Sequence, residues 1–321
     1  MLDVICLGIL VADVIAKPVK GLPGVGKLEL VEQLEMYAGG CAANTGIDLA
    51  KIGIQTGIIG KIGNDGFGKF MDEELNKYGV NVDGLRREEG VRTSASMVLV
   101  NNQGERSFIH CLGANAEFCD EDVDFNVIKK AKVLFIAGAL LMPRFDGEPT
   151  KRVLKKAQAE GIYTVLDTAW DSTGKWMDLI GPCLPYLDLF IPSIEEASML
   201  SGTDNVEEMA DLFLSKGVKL VVIKLGTKGC FIKSNQGKKF TIPTYTYIKA
   251  VDTTGAGDSF VAGFLTGIIK GWNLHQCGKF ANAVGTHCVM SVGANSGIKG
   301  INDILKFMEE NEELWSENYE Q

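Results

Sequence analysis

From about residue 120 the chain alternates between short, unbroken apolar runs and amphipathic stretches of helical period, a rhythm few architectures satisfy. KVLFIA (132–137) precedes a helical stretch over 149–160 that ends at Gly161. IYTVLD (162–167), a helical segment, LDLFIP (187–192), two more helical segments and VKLVVIKL (218–225) repeat the pattern. A strand with one wet face alternates apolar and polar residues, whereas a run that is apolar throughout must be covered on both sides. The sequence therefore predicts an α/β fold, a three-layer α/β/α sandwich around a mainly parallel sheet. At 321 residues the chain is read as a single domain spanning 1–321.

The first third departs from this rhythm. Residues 91–100 and 105–111 flank Asn101-Asn102-Gln103-Gly104 and read as an antiparallel hairpin. Residues 17–36, glycine-rich and then alternating as LELVEQLEM, read as further strand and loop. Together they predict a small β-sheet lid inserted at approximately 14–38 and 90–113. The opening run VICLGILVADVIA is broken by Asp13 and lacks a basic flank, so it is read as a buried strand rather than a signal or membrane-spanning segment. The acidic tail from Glu309 reads as a solvated helix end.

Charge and cysteine usage narrow the function. A formal charge of −9 with scattered Lys and Arg offers no basic stripe to replace phosphate counterions, so no nucleic-acid partner is expected. The 8 cysteines form no C-x-x-C pair and suit reduced thiols in a cytoplasmic protein. His110, His275 and His287 lack ligand spacing, which leaves a histidine metal site or a Ser-His-Asp triad without support.

Two glycine clusters compete for a phosphate-binding role. GLPGVGK (21–27) has P-loop spacing, but Leu28 follows where a magnesium-binding hydroxyl belongs, and the next residues alternate like a strand. It is read as a turn in the lid. Gly39-Gly40, followed by Cys41-Ala42-Ala43-Asn44 and an amphipathic helix through Lys51, is either a tight strand-to-helix turn or a close backbone approach to a ligand. Asp13 is either a strand-end residue or a hydrogen-bonding group at the edge of the sheet.

VDTTGAGDSF (251–260) is the most informative stretch. Gly255, Ala256 and Gly257 leave their amides bare at the start of an apolar helix, which makes an anion site. A carboxylate at Asp258 would repel phosphate at close range. It makes sense when a hydroxyl lies between the two, held by the acid while it attacks phosphorus.

DTTGAGDSFVAGF resembles the C-terminal signature of the PfkB carbohydrate kinases, the ribokinase-like family, and YAGGCAANTGIDLAKIG resembles the N-terminal one. The resemblance spans essentially the whole chain. It implies a ribokinase-like sandwich with a β lid and transfer of phosphate from ATP to a primary hydroxymethyl group of a monosaccharide: a ketose, aldose or sugar acid. A nucleoside kinase and a catalytically silent binding protein are the alternatives. The same resemblance makes Asp258 the base and Gly255, Ala256 and Gly257 the anion hole, with Asp13, Gly39, Gly40 and Asn44 on sugar hydroxyls. Lys224, Gly226 and Gly229 match the family's strand-loop along which the nucleotide lies, and Asn282 matches a position near the adenine. Glu196 matches the glutamate with which the family organises Mg²⁺ through water, although Ser193 stands where the N-x-x-E motif has Asn. Asp252 and the carbonyl of Thr254 match a monovalent-cation loop and raise K⁺ as a further ion, although Gly297 replaces the serine of ribokinases. Asp167-Thr-Ala-Trp-Asp171 lacks the arginine with which sugar-phosphate kinases hold a second phosphate, which favours an unphosphorylated sugar over the anionic ones that Arg92, Arg106 and Arg144 could accommodate. A homodimer through the exposed lid sheet is expected.

Overall fold

Val4 and Cys6 of the first strand enter one hydrophobic core, Ile5 and Leu7 enter another, and all four are fully buried. That division is what a sheet covered on both faces requires. The structure is a computed structural model and describes residues 1–103 and 105–312.

In chain order the strands are β1 (Leu2–Gly8), β2 (Val11–Lys17), β3 (Gln33–Gly39), β4 (Thr56–Gly63), β5 (Asn81–Glu88), β6 (Ala95–Val100) and β7 (Arg106–Cys111). They continue as β8 (Ala131–Ala139), β9 (Tyr163–Thr168), β10 (Leu189–Phe190), β11 (Leu220–Lys224), β12 (Cys230–Ser234) and β13 (Lys239–Ile242). The helices are α1 (Cys41–Ile52), α2 (Gly66–Lys77), α3 (Gly113–Glu117), α4 (Phe125–Ile128), α5 (Glu148–Ala159) and α6 (Trp176–Ile180). They end with α7 (Ile194–Ser201), α8 (Val206–Ser215), α9 (Ala256–Lys270), α10 (Leu274–Val289) and α11 (Ile301–Glu310).

A nine-stranded sheet runs β13-β12-β11-β10-β9-β8-β1-β4-β5. It is parallel except at β12 and β13, which form an antiparallel edge. Helices α1, α9 and α10 pack on one face, α5, α7 and α8 on the other. A separate four-stranded sheet runs β3-β2-β6-β7. Its β6–β7 hairpin is antiparallel, as the sequence predicts.

Several expectations need correction. The opening apolar run is two strands: β1 lies in the large sheet and β2 in the small one, which therefore begins at Val11 rather than near residue 14. At the crossing, a side chain on Gly8 would sit 1.9 Å from the Ala137 carbonyl oxygen, so only glycine lets the chain leave here. LELVEQLEM becomes strand only from Gln33, because β2 ends at Lys17, its register partner; Leu28 and Leu30 lie exposed before the paired register begins. The first third also supplies β4 and β5 to the large sheet, with α2 between them in the chain, which the sequence reading omitted. The segment 21–27 is exposed and opens no helix, in keeping with its rejection as a P-loop. Helix α11 ends at Glu310; the tail beyond residue 312 lies outside the described residues.

Helices α9 and α10 meet so closely that a side chain on Gly263 would lie 2.7 Å from the Ala281 Cα. Only a residue without a side chain lets the two backbones approach this far.

Candidate active site

The strands β9 and β11 end at a cleft of about 600 Å³, lined by Asp167, Lys224, Glu196, Gly226, Gly229 and the start of α9 among others. Parallel α/β sheets place ligands here, beyond the carboxyl ends of the strands, where connecting loops diverge. Gly255 caps α9 with φ 76, a left-handed conformation open to glycine, and a side chain there would strike Ala294. Gly255, Ala256 and Gly257 all line the cleft. The amide of Ala256 reaches back to the Thr253 carbonyl at 3.3 Å, a long bond that an anion can displace.

Asp258 follows on the first turn of α9. Its Oδ2 accepts from Asn44 Nδ2 at 2.8 Å, which joins α1 to α9. Burial raises the pKa of this carboxyl, and the Asn44 hydrogen bond and the Lys224 charge pull it partly back. The other amide atom, Asn44 Oδ1, is buried without a partner.

Lys224, at the end of β11, bonds Asp167 Oδ2 at 2.5 Å, and its ammonium would stand 3.6 Å from a side chain placed on Gly257. Burial works against the Lys224 charge, but Asp167, Glu196 and Asp258 outweigh it and raise the pKa, so the group is a fixed cation beside the amide ring. Burial pushes Asp167 up to about 7 against the pull of Lys224. Glu196 forms a capping box with Ser193: Ser193 N donates to Glu196 Oε2 at 3.0 Å, and Glu196 N donates to Ser193 Oγ at 3.3 Å. Serine thus performs the capping task at the position where the motif has asparagine. Thr168 Oγ1 donates to the same Oε2 at 3.0 Å, which ties the end of β9 to α7.

The residues expected on the sugar side gather where the small sheet meets α1. Asp13 lies over Gly39 so closely that a side chain there would come within 2.1 Å of Asp13 Oδ2. Gly40, φ 87, turns the chain into α1 against the Ile9 carbonyl. Burial pushes Asp13 up to about 6.

Asn282, Asp252 and Thr254 each have partners within the protein. Asn282 lines the cleft, but its Nδ2 donates to Ile242 O at 3.0 Å and Pro243 O at 2.8 Å, which ties α10 to the end of β13. Asp252 and Thr254 lie outside the cleft lining. Arg106, on β7, reaches both Asp252 Oδ1 and Thr254 Oγ1. Asp252 Oδ2 accepts from Gly293 N at 2.9 Å, and the Thr254 carbonyl accepts from the Cys288 thiol at 3.2 Å.

The pfkB family carbohydrate kinase model matches residues 1–299. The chain belongs to this family. An uncharacterized sugar kinase of Archaeoglobus fulgidus is 30% identical over 251 residues, 78% of this chain and 97% of the relative. A probable fructokinase-5 of Arabidopsis thaliana is 32% identical over 289 residues, 84% and 87% of the two chains. The Arabidopsis thaliana ribokinase structure, complexed with ribose and ATP, superposes with a TM-score of 0.83 at 26% identity, covering 96% of this chain and 99% of that one. The family is one of phosphotransferases with an alcohol group as acceptor, and this PfkB chain is a sugar kinase with the ribokinase-like fold.

Sequence reasoning missed two parts of the PfkB site. Asp167 drew notice only for a missing arginine nearby, yet it is 2% exposed and paired with Lys224. Its signal was a carboxylate closing an apolar run. Behind Asp258 lies a second set: fully buried Asp48 accepts from Ser259 Oγ at 2.5 Å and Asn295 Nδ2 at 2.7 Å. Asp48 follows Asn44 by one helical turn, a spacing that puts both on the face α1 shows to α9. Cys41, the first residue of α1, also lines the cleft, and its surroundings hold the thiol pKa well above the usual range, chiefly by burial.

Proposed function

We propose that the protein transfers the γ-phosphoryl group of ATP to a primary hydroxymethyl group of an unphosphorylated monosaccharide. The observation that carries this is Asp258 on the first turn of α9, next to the amides of Gly255 to Gly257 and within reach of the Lys224 cation. The acceptor hydroxyl donates to Asp258 and attacks phosphorus from the sugar side. In a loose transition state the charge sits on the phosphoryl oxygens, so the amides and Lys224 supply most of the stabilisation, and Asp258 chiefly orients the hydroxyl before taking its proton. The unpartnered Asn44 Oδ1 calls for a donor, which a neighbouring sugar hydroxyl supplies. Asp13 holds a further hydroxyl beside Gly39 and Gly40.

The nucleotide lies along Lys224, Gly226 and Gly229. Magnesium fits the donor chemistry, since it takes few protein carboxylates together with phosphate oxygens and water. Glu196 on the cleft wall is the group that holds it through water, and when bound the ion neutralises phosphate charge. Two of the three arginines that could serve an anionic sugar are already paired, Arg106 with Asp252 and Arg144 with Glu117, which supports a neutral acceptor.

A coupled ADP-release screen of free ketoses, aldoses, sugar acids, sugar phosphates and nucleosides with Mg-ATP tests the reading. Turnover on a free monosaccharide is the expected result. Preference for a sugar phosphate or a nucleoside overturns the substrate class, and silence on all of them overturns the activity.

The assembly we propose is a homodimer through the small sheet. Register places Leu34, Met36, Met97 and Ile109 on one face of that sheet, and all four are exposed. Asp13 and Arg106 project from the opposite face by the same alternation. An apolar face of this kind marks an interaction surface. Sedimentation at micromolar concentration should give a dimer, and Met97→Asp should give a monomer; a monomeric parent overturns the assembly.

A further inference from the structure

Arg106 has no part in the reaction as described, yet it links the small sheet to the loop that leads into the anion hole. Its guanidinium bridges Asp252 Oδ1 and Thr254 Oγ1. Asp252 in turn organises that loop: Oδ1 accepts Thr254 N at 2.7 Å and Oδ2 accepts Gly293 N at 2.9 Å. Thr254 leads directly to Gly255, the cap of α9. A carboxylate that is 7% exposed beside a phosphoryl site needs a cation, because an unpaired buried charge is costly and would oppose the incoming anion.

Members of the family fold imply a monovalent ion for this purpose, but the donors do not fit one. The carboxylate is taken by Arg106 and two backbone amides, and the Thr254 carbonyl by the Cys288 thiol, which lies equally 3.2 Å from the Ala294 carbonyl. Gly297 adds no side-chain oxygen.

We propose that Arg106 is the built-in counter-cation of this loop, replacing a monovalent ion, so that the small sheet rather than potassium sets the geometry of the anion hole. Arg106 is then a positioning residue for phosphoryl transfer. The inference rests on the kinase reading for its effect on turnover but not for its effect on ion binding. A guanidinium suits the task because its planar fork can hold a carboxylate and a hydroxyl together; lysine keeps the charge and loses the fork.

The test compares the parent, Arg106→Ala and Arg106→Lys in potassium chloride and in tetramethylammonium chloride at equal ionic strength. Two readouts are needed: turnover on the best sugar, and thermal melting without substrate. The parent is expected to show the same kcat and the same Tm in both salts. Arg106→Ala should lose at least about tenfold in kcat in tetramethylammonium, through misalignment of the hole. Potassium should restore part of that loss and raise the variant's Tm selectively, as a ligand of the folded state does. Arg106→Lys should fall between the two, with weak potassium dependence.

Strong activation or stabilisation of the parent by potassium overturns the proposal. So does an Arg106→Ala variant indifferent to potassium in both readouts. If no sugar is phosphorylated, the activity reading fails, and the melting comparison still decides the question of the cation.

Discussion

Asp258→Asn is expected to lower kcat by about 10³-fold, within the range that a positioned general base contributes. The change preserves shape and can keep a hydrogen bond to Asn44, so α9 should hold its place. ATP and sugar binding, measured by calorimetry, should stay within a few-fold of the parent. Retention of more than a tenth of the parental kcat would remove Asp258 as the base. The parent should carry a pH signature of the same group. Burial raises the Asp258 pKa, so activity falls on the acid side at a higher pH than an ordinary carboxylate would give, because the ionised form accepts the proton. This acid limb should be absent from the residual activity of the Asn variant.

Lys224→Met should damage both activity and stability. It removes the cation beside the amide ring and leaves Asp167 in the protein interior without its partner. Breaking one half of a buried pair costs about 3–5 kcal/mol, which corresponds to a Tm loss on the order of 10 °C in a chain of this size. The sign with pH is definite. Without Lys224 the Asp167 pKa rises further above its unfolded value, so the folded state binds the extra proton more tightly. The protein is then least affected below the unfolded pKa of about 4 and loses stability as pH climbs through the folded value. Asp167 already lies at about 7 in the parent, so both folded forms carry the proton below that pH and the difference in Tm between parent and variant should widen as the pH rises above 7. Asp167→Asn combined with Lys224→Met should regain most of the stability and none of the turnover. A difference that narrows with pH, or a double variant as unstable as the single one, would show that the pair is not coupled as described.

The parts of this molecule that the sequence made legible are those where one physical demand acts alone. The runs KVLFIA and IYTVLD had to be buried on both faces, and β8 and β9 are. GAGD had to place a carboxylate after bare amides, and α9 begins there. The β4 segment was obscured because Gly57, Gly60 and Gly63 dilute its apolar character, although each is there to let neighbouring strands or loops come close. The opening run carried no local mark of where it leaves one sheet for another; that boundary depends on Ala137, remote in sequence. Pairing across sequence was the least visible. Lys224 was singled out by its motif and Asp167 was set aside, yet the ion pair between them exists only once β9 and β11 flank β10. The reach of Arg106 to Asp252 is of the same kind, a contact between residues whose separation in sequence hides it.

The flush contact of α9 on α10 at Gly263 has a consequence for how the enzyme can vary. Asp258 and Gly263 share one rigid helix, and Gly267 meets Cys277 as tightly one turn further on. The helix pair acts as a stiff mount with no slack, and any added atom at the contact tilts the mount and carries the carboxylate with it. Since small misplacements of a reacting group are enough to cost a large factor in rate, tolerance for change at this point of the core is set by catalytic alignment as well as by stability. The small sheet shares in that alignment through Arg106, which ties β7 to the loop before α9, so exchange at that position moves the mount as well.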